Sequence, residues 1–162
     1  MEIKELPWGV IAQVSVSHGL NPLWVGAMIM TESGGERLSM RYEPHYKYLY
    51  HPRDFSQKLG ITVETEEVLQ KSSLGLTQFM GAVAREFGFN GLLPELFNIE
   101  KNIEYGCRAL KKHYQKYGNI HDSIASYNAG SVRKTPGGFY ENQKHVDRFD
   151  IWLRKVEAQA KT

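Results

Sequence analysis

Along this chain hydrophobic positions recur at helical spacing in successive segments, and strict two-residue alternation is almost absent. Trp8, Val10, Ile11 and Val14 follow Pro7 and predict a short helix that Gly19 ends by supplying a left-handed residue. Asn21 as N-cap and Pro22 in the first helical position predict a second helix over 22–33, halted by Gly34 and Gly35. Further helices are predicted over 77–87 before Gly88, over 100–117 before Gly118, over 120–127, and from 139 or 140 to about 158. In the helix over 100–117, Ile103, Cys107, Leu110, Tyr114 and Tyr117 form one stripe. Between Glu36 and Lys71 the pattern breaks, with only a short amphipathic piece over 64–70, and 131–138 is a loop of turn formers. No repeat, linker or low-complexity tract interrupts the chain. The expectation is a mainly α fold: a single globular helical domain over 1–162 with at most a small β element.

One polar residue breaks the pattern of the second helix. Val25, Met28, Ile29 and Glu32 fall at i, i+3, i+4 and i+7, so a carboxylate shares the apolar face. Desolvation favours the protonated form of such a group, which suits a general acid near neutral pH. The competing reading is a side chain near the helix end that turns into solvent. Helix position alone leaves both open.

Composition narrows the class without choosing a function. Apolar residues make up 41% and charged residues 23%, the balance of a soluble globular protein. Twenty basic against eighteen acidic residues give +2, far from the signature of a nucleic-acid-binding protein. The single cysteine, Cys107, rules out an internal disulfide. No window approaches a transmembrane helix, and the first residues, with Glu2, Glu5 and Pro7, do not read as an export signal. Six histidines make no HExxH or similar ligand set, and neither a serine or cysteine nucleophile motif nor a phosphate-binding glycine loop occurs.

Several short segments add up to more. Glu32-Ser33 ends the second helix, Ser73-Leu74-Gly75-Leu76-Thr77-Gln78-Phe79-Met80 follows, then Asn102-Ile103 with Gly106 and Leu110, then Ala125-Ser126-Tyr127-Asn128-Ala129-Gly130. In that order, over about 8–153, the chain resembles the lytic transglycosylases of the soluble-murein-transglycosylase type. That family combines a helix ending in Glu-Ser with Ser-x-Gly-Leu-x-Gln, Asn-Ile-x-x-Gly and Ala-x-Tyr-Asn-Ala-Gly. A looser match, Glu141-Asn142-Gln143-Lys144-His145-Val146, sets His145 where the family usually has tyrosine. The stretch over about 36–71 is an insertion relative to compact members. Its Arg41-Tyr42-Glu43-Pro44 is similar to phage-encoded ones.

The resemblance implies a lysozyme-like α+β fold and cleavage of the β-1,4 bond between N-acetylmuramic acid and N-acetylglucosamine, leaving 1,6-anhydro ends, without metal or cofactor. Glu32 would be the single acid and base. Ser33, Gly75, Gln78, Met80, Tyr127, Asn128 and Glu141 would serve substrate binding. Gln78 could donate to and accept from sugar groups, and the Tyr127 phenol could fix the Glu32 carboxylate and stack on a sugar. Asn128 also reads as a turn residue, and Glu141 as a solvated carboxylate at a helix start. The implied partner is the peptidoglycan glycan strand, met by a monomer made in the host cytoplasm. A holin or a virion tail would give access to the wall. Two alternatives stay open: a hydrolytic muramidase, with Asp54, Glu64, Glu66 or Glu67 as second carboxylate, and a non-catalytic glycan-binding virion module.

Overall fold

The computed structural model describes residues 2–161. Its helices are α1 (Trp8–Ser17), α2 (Pro22–Glu32), α3 (Pro52–Leu59), α4 (Val63–Gln70), α5 (Gly81–Glu86), α6 (Ile99–Tyr117), α7 (Ile120–Ala129) and α8 (Gln143–Gln159). Strands β1 (Met40–Tyr42), β2 (Ser72–Leu74) and β3 (Phe79–Met80) form one antiparallel sheet in the order β1-β2-β3. Met40 pairs with Leu74 and Ser73 with Met80. This is the mainly α, lysozyme-like architecture with a small β element that the sequence predicts.

Helix α2 occupies the centre. The Asn21 side chain accepts from the Leu23 N–H, satisfying one free donor of the first turn, and Pro22 needs none. All seven residues from Val25 to Thr31 are buried. A helix buried on every side is held by packing, and each large side chain such as Met28 or Ile29 contributes ~1.5–3 kcal/mol. α1 approaches through Gly26, where a Cβ would lie 2.4 Å from the Trp8 ring. α8 lies along α2, and α6 packs on α1 and α7. One apolar cluster gathers α2 with Ile103, Leu110, Ile124 and Phe149. A second joins Leu74 and Phe79 of the sheet to Phe89, Leu93 and Leu96, and Tyr127 packs against both.

Two segments depart from the sequence expectation. The helix predicted over 77–87 exists only as α5, because Thr77 and Gln78 form a turn and Phe79–Met80 pair as a strand. Tertiary bonds override helix propensity there. The Thr77 N–H and hydroxyl both donate to Asn102 Oδ1, at 2.8 and 2.9 Å, and Gln78 sits at φ 47°. Between 36 and 71 the chain forms β1, α3 and α4, of which only the α4 region is legible in the sequence.

Candidate active site

The end of α2 meets the β2–β3 turn. Ser33, at the C-cap of α2, donates from its hydroxyl to Leu76 O at 2.7 Å and to Ile29 O at 3.2 Å. On the other side of that turn, Asn102 of α6 donates through Nδ2 to Leu74 O and Leu96 O at 2.9 and 2.8 Å. Gly75, at φ 72°, is required at this point, since a Cβ would lie 2.4 Å from Asn102 Nδ2. The Glu-Ser, Gly-Leu-x-Gln and Asn-Ile segments therefore form one hydrogen-bonded junction behind Glu32.

In front of it runs a cleft with two arms. The larger, about 880 Å³, is lined by Gln78, Met80, Tyr127 and His113 together with Tyr46 and Tyr48 of the segment between α2 and β2. The smaller, about 620 Å³, is lined by Glu141, Lys144, His145 and Arg148. Glu32, Arg41 and Asn128 line both and mark the place where the arms meet. Glu32 is only 11% exposed. Its Oε1 is fully buried and lies 3.1 Å from His145 Nε2, so Oε2 is the oxygen left to face the cleft. The two atoms are within ion-pair range but out of line for a hydrogen bond, and neither has a hydrogen-bond partner among the described residues. The closeness follows from the packing of α8, which carries His145, along α2, which carries Glu32.

The other sequence candidates divide by position. The Gln78 amide nitrogen donates to Ser39 O at 3.1 Å and to Gly75 O at 2.9 Å, leaving its Oε1 free as an acceptor. Tyr127 donates its phenol proton to Thr77 O at 2.9 Å and not to Glu32. Burial, and secondarily the Glu32 charge, holds that phenol protonated well above the ordinary tyrosine range. Asn128 accepts at Oδ1 from Asn142 Nδ2 at 2.9 Å. Glu141 is exposed and lies 3.3 Å from Arg133. Ser33 and Gly75 do not line the cleft; they hold the turn beside it. His113, whose Nδ1 is 2.9 Å from Ser126 Oγ, is kept below its ordinary pKa of 6.5 by burial and then by Lys112 and Lys116.

The carboxylates proposed for a hydrolase lie elsewhere. Asp54 is 80% exposed beside His51, and Glu64 is exposed. Glu66 is fully buried, with Arg85 Nε donating to Oε1 at 2.7 Å and Nη2 to Oε2 at 2.9 Å. Neither these nor Glu67 lines the cleft, whose carboxylates besides Glu32 are Glu43, Glu86 and Glu141. His145 is the site residue that sequence reasoning missed. Its only signal was its departure from the family's tyrosine. Among the described residues no three His, Cys, Asp or Glu side chains converge as a metal-ligand set.

A transglycosylase of Enterobacteria phage PRD1 is 23% identical over 124 residues, covering 76% of this chain and 35% of its own length. The X-ray structure of an inactive mutant of lytic transglycosylase Slt from Pseudomonas aeruginosa superposes with a TM-score of 0.53 at 18% identity. That match covers 91% of this chain and 22% of the other. The chain thus spans about a third of the phage relative and about a fifth of the solved structure. The profile of the transglycosylase SLT domain matches residues 10–147, most of the sequence, and the chain belongs to that family.

Proposed function

We propose that this chain is a peptidoglycan lytic transglycosylase in which Glu32 is the acid and then the base. The observation that carries the reading is Glu32 itself, nine-tenths buried where the two arms meet, with one oxygen turned inward and the other facing the cleft. A glycan strand lying through both arms would set its scissile bond over that oxygen. Glu32 protonates the oxygen between N-acetylmuramic acid and N-acetylglucosamine, and the C1–O bond breaks. The muramic acid C6 hydroxyl then closes on C1 and passes its proton to Glu32, so no water is consumed. Internal attack gains from proximity, since effective molarities of such reactions reach ~10⁵ M or higher.

Around Glu32, Gln78 offers an acceptor to a sugar amide or hydroxyl, and the Tyr127 ring offers a face. Asn128, Met80 and Glu141 line the strand's path, while Ser33 and Gly75 act from behind by fixing the turn. Residues 1–162, with the 36–71 insertion, work as one transglycosylase domain that acts as a monomer. Mass spectrometry of soluble muropeptides should show 1,6-anhydro ends, lighter by one water than hydrolysed products and resistant to borohydride. Glu32→Gln should slow their release by ~10² or more. Mainly reducible muramic acid ends would overturn the transglycosylase reading and turn attention to Glu43 and Glu86.

The phage relative supports a role in lysis or wall penetration, reached through a holin lesion or from a virion tail. Cells making this chain in the cytoplasm should stay intact until a holin or permeabiliser is added. Lysis without either contradicts that route.

A further inference from the structure

The insertion between α2 and the sheet carries HYKYLY, with Tyr46, Tyr48 and Tyr50 at alternate positions in an irregular segment. Both ends of this segment are tied down. Glu43 N–H donates to Lys71 O at 2.8 Å next to the β1–β2 ladder. At the other end Tyr50 N–H donates to Gln70 Oε1 at 2.7 Å, and Gln70 Nε2 donates back to Tyr50 O at 2.9 Å. Gln70 is itself buried and donates to Glu66, the partner of Arg85. The segment is a strap fixed at two points across the larger arm of the cleft.

The tyrosines on the strap differ in what they do. Tyr50 is occupied with packing, its ring 6.3 Å from Phe55. Tyr46 and Tyr48 line the arm that also holds Gln78 and Tyr127. Their rings meet edge to face at 5.8 Å, so Tyr46 props Tyr48. Tyr48 is 77% exposed and contributes little to the core. Tyr46 is half-buried, and burial, with the Glu86 charge of α5 second, raises its phenol above the ordinary range. An exposed flat ring, held by a second ring on a strap that enters a cleft, serves a ligand better than it serves folding.

We propose that Tyr46 and Tyr48 form a sugar-stacking subsite supplied by the insertion, which takes an N-acetylhexosamine ring of the same glycan strand beyond the scissile disaccharide. The inference rests on the peptidoglycan reading above. Its occupant follows from continuity: the rings line the arm that begins at Glu32, and a linear polymer bound there must pass them. Because the strap is held at both ends, little ordering opposes binding.

The test uses Glu32→Gln protein, which binds without turnover, and calorimetric titration with N-acetylglucosamine oligomers of two and six sugars. Adding Tyr48→Leu should weaken the hexasaccharide about threefold to tenfold, the usual scale of an aromatic contact, and leave the disaccharide unchanged. Tyr48→Phe, which keeps the ring, should bind both as the parent does. Equal loss for both lengths, or no loss for either, overturns the subsite while leaving the glycan reading intact. A folded parent that binds neither oligomer removes the glycan reading, and the subsite with it.

Discussion

In the proposed reaction Glu32 gives up a proton and then takes one back from the same side, so it has to keep its orientation through both steps. Glu32 comes from the last turn of α2, where free rotation would let either oxygen face the cleft. His145 limits that freedom by lying 3.1 Å from Oε1. With Nε2–H directed at Oε1, His145 keeps that oxygen as an acceptor and leaves the acid proton on Oε2, the oxygen on the cleft side. His145 is then a positioning residue that need not touch the sugar. His145→Leu should lower kcat by about tenfold to a hundredfold with KM nearly unchanged, the scale expected of a misplaced reacting group. His145→Gln, which keeps an N–H donor, should retain most of the rate. A Leu variant with wild-type kcat would show that packing alone orients Glu32. The sequence singled out Glu32, Gln78 and Tyr127, which line the cleft, because motif order does not depend on knowing the fold. It did not expose the pairing of residues 32 and 145, which exists only once α8 lies along α2.

Elements were legible where local signals and tertiary packing agree. Asn21-Pro22 opens α2, and Gly118 and Gly130 sit at the left-handed C-caps of α6 and α7, at φ 73° and 79°. α3 escaped notice because its apolar signal is faint: Ser56 is its one buried residue. Its ends nonetheless carry Pro52 in the first turn and Gly60 at φ 67°, the proline-in, glycine-out pattern that would have found it. The opposite error over 77–87 has a tertiary cause. Asn102 bonds to Thr77, Leu74 and Leu96, making the turn cheaper than continuing a helix. A residue from α6 thus decides the conformation of a segment 25 positions earlier. Gly106 of α6 completes the fit, since a Cβ there would lie 2.6 Å from the Thr77 methyl. Of the Asn-Ile-x-x-Gly segment, Asn102 and Gly106 therefore support the turn that flanks the candidate acid, and the segment contributes no lining residue to the cleft.

At the scale of the whole molecule, the segment over 36–71, between two motif segments, has to stay fixed to the rest. The main joint is Arg85 of α5. It holds Glu66 of α4 through two bonds, donates through Nη1 to Phe89 O and Gly91 O at 2.8 Å each, and sits 4.2 Å from the centre of the Phe55 ring of α3. Both charged side chains are fully buried. A buried pair adds little over an apolar pair of similar size, but removing one partner strands a charge in a medium that cannot solvate it. Arg85→Met should therefore cost about 3–5 kcal/mol in urea unfolding. The double variant Glu66→Leu with Arg85→Met should recover part of that loss, because no charge is then stranded, although the two carbonyls still lack their donor. The damage should also be local at first. Gln70 connects Glu66 to Tyr50, so loosening Glu66 frees one anchor of the tyrosine strap, and limited proteolysis of the single variant should cut first within 43–71. A single variant as stable as wild type, or a double variant less stable than the single, would show that the insertion is held by its apolar contacts and not by this ion pair.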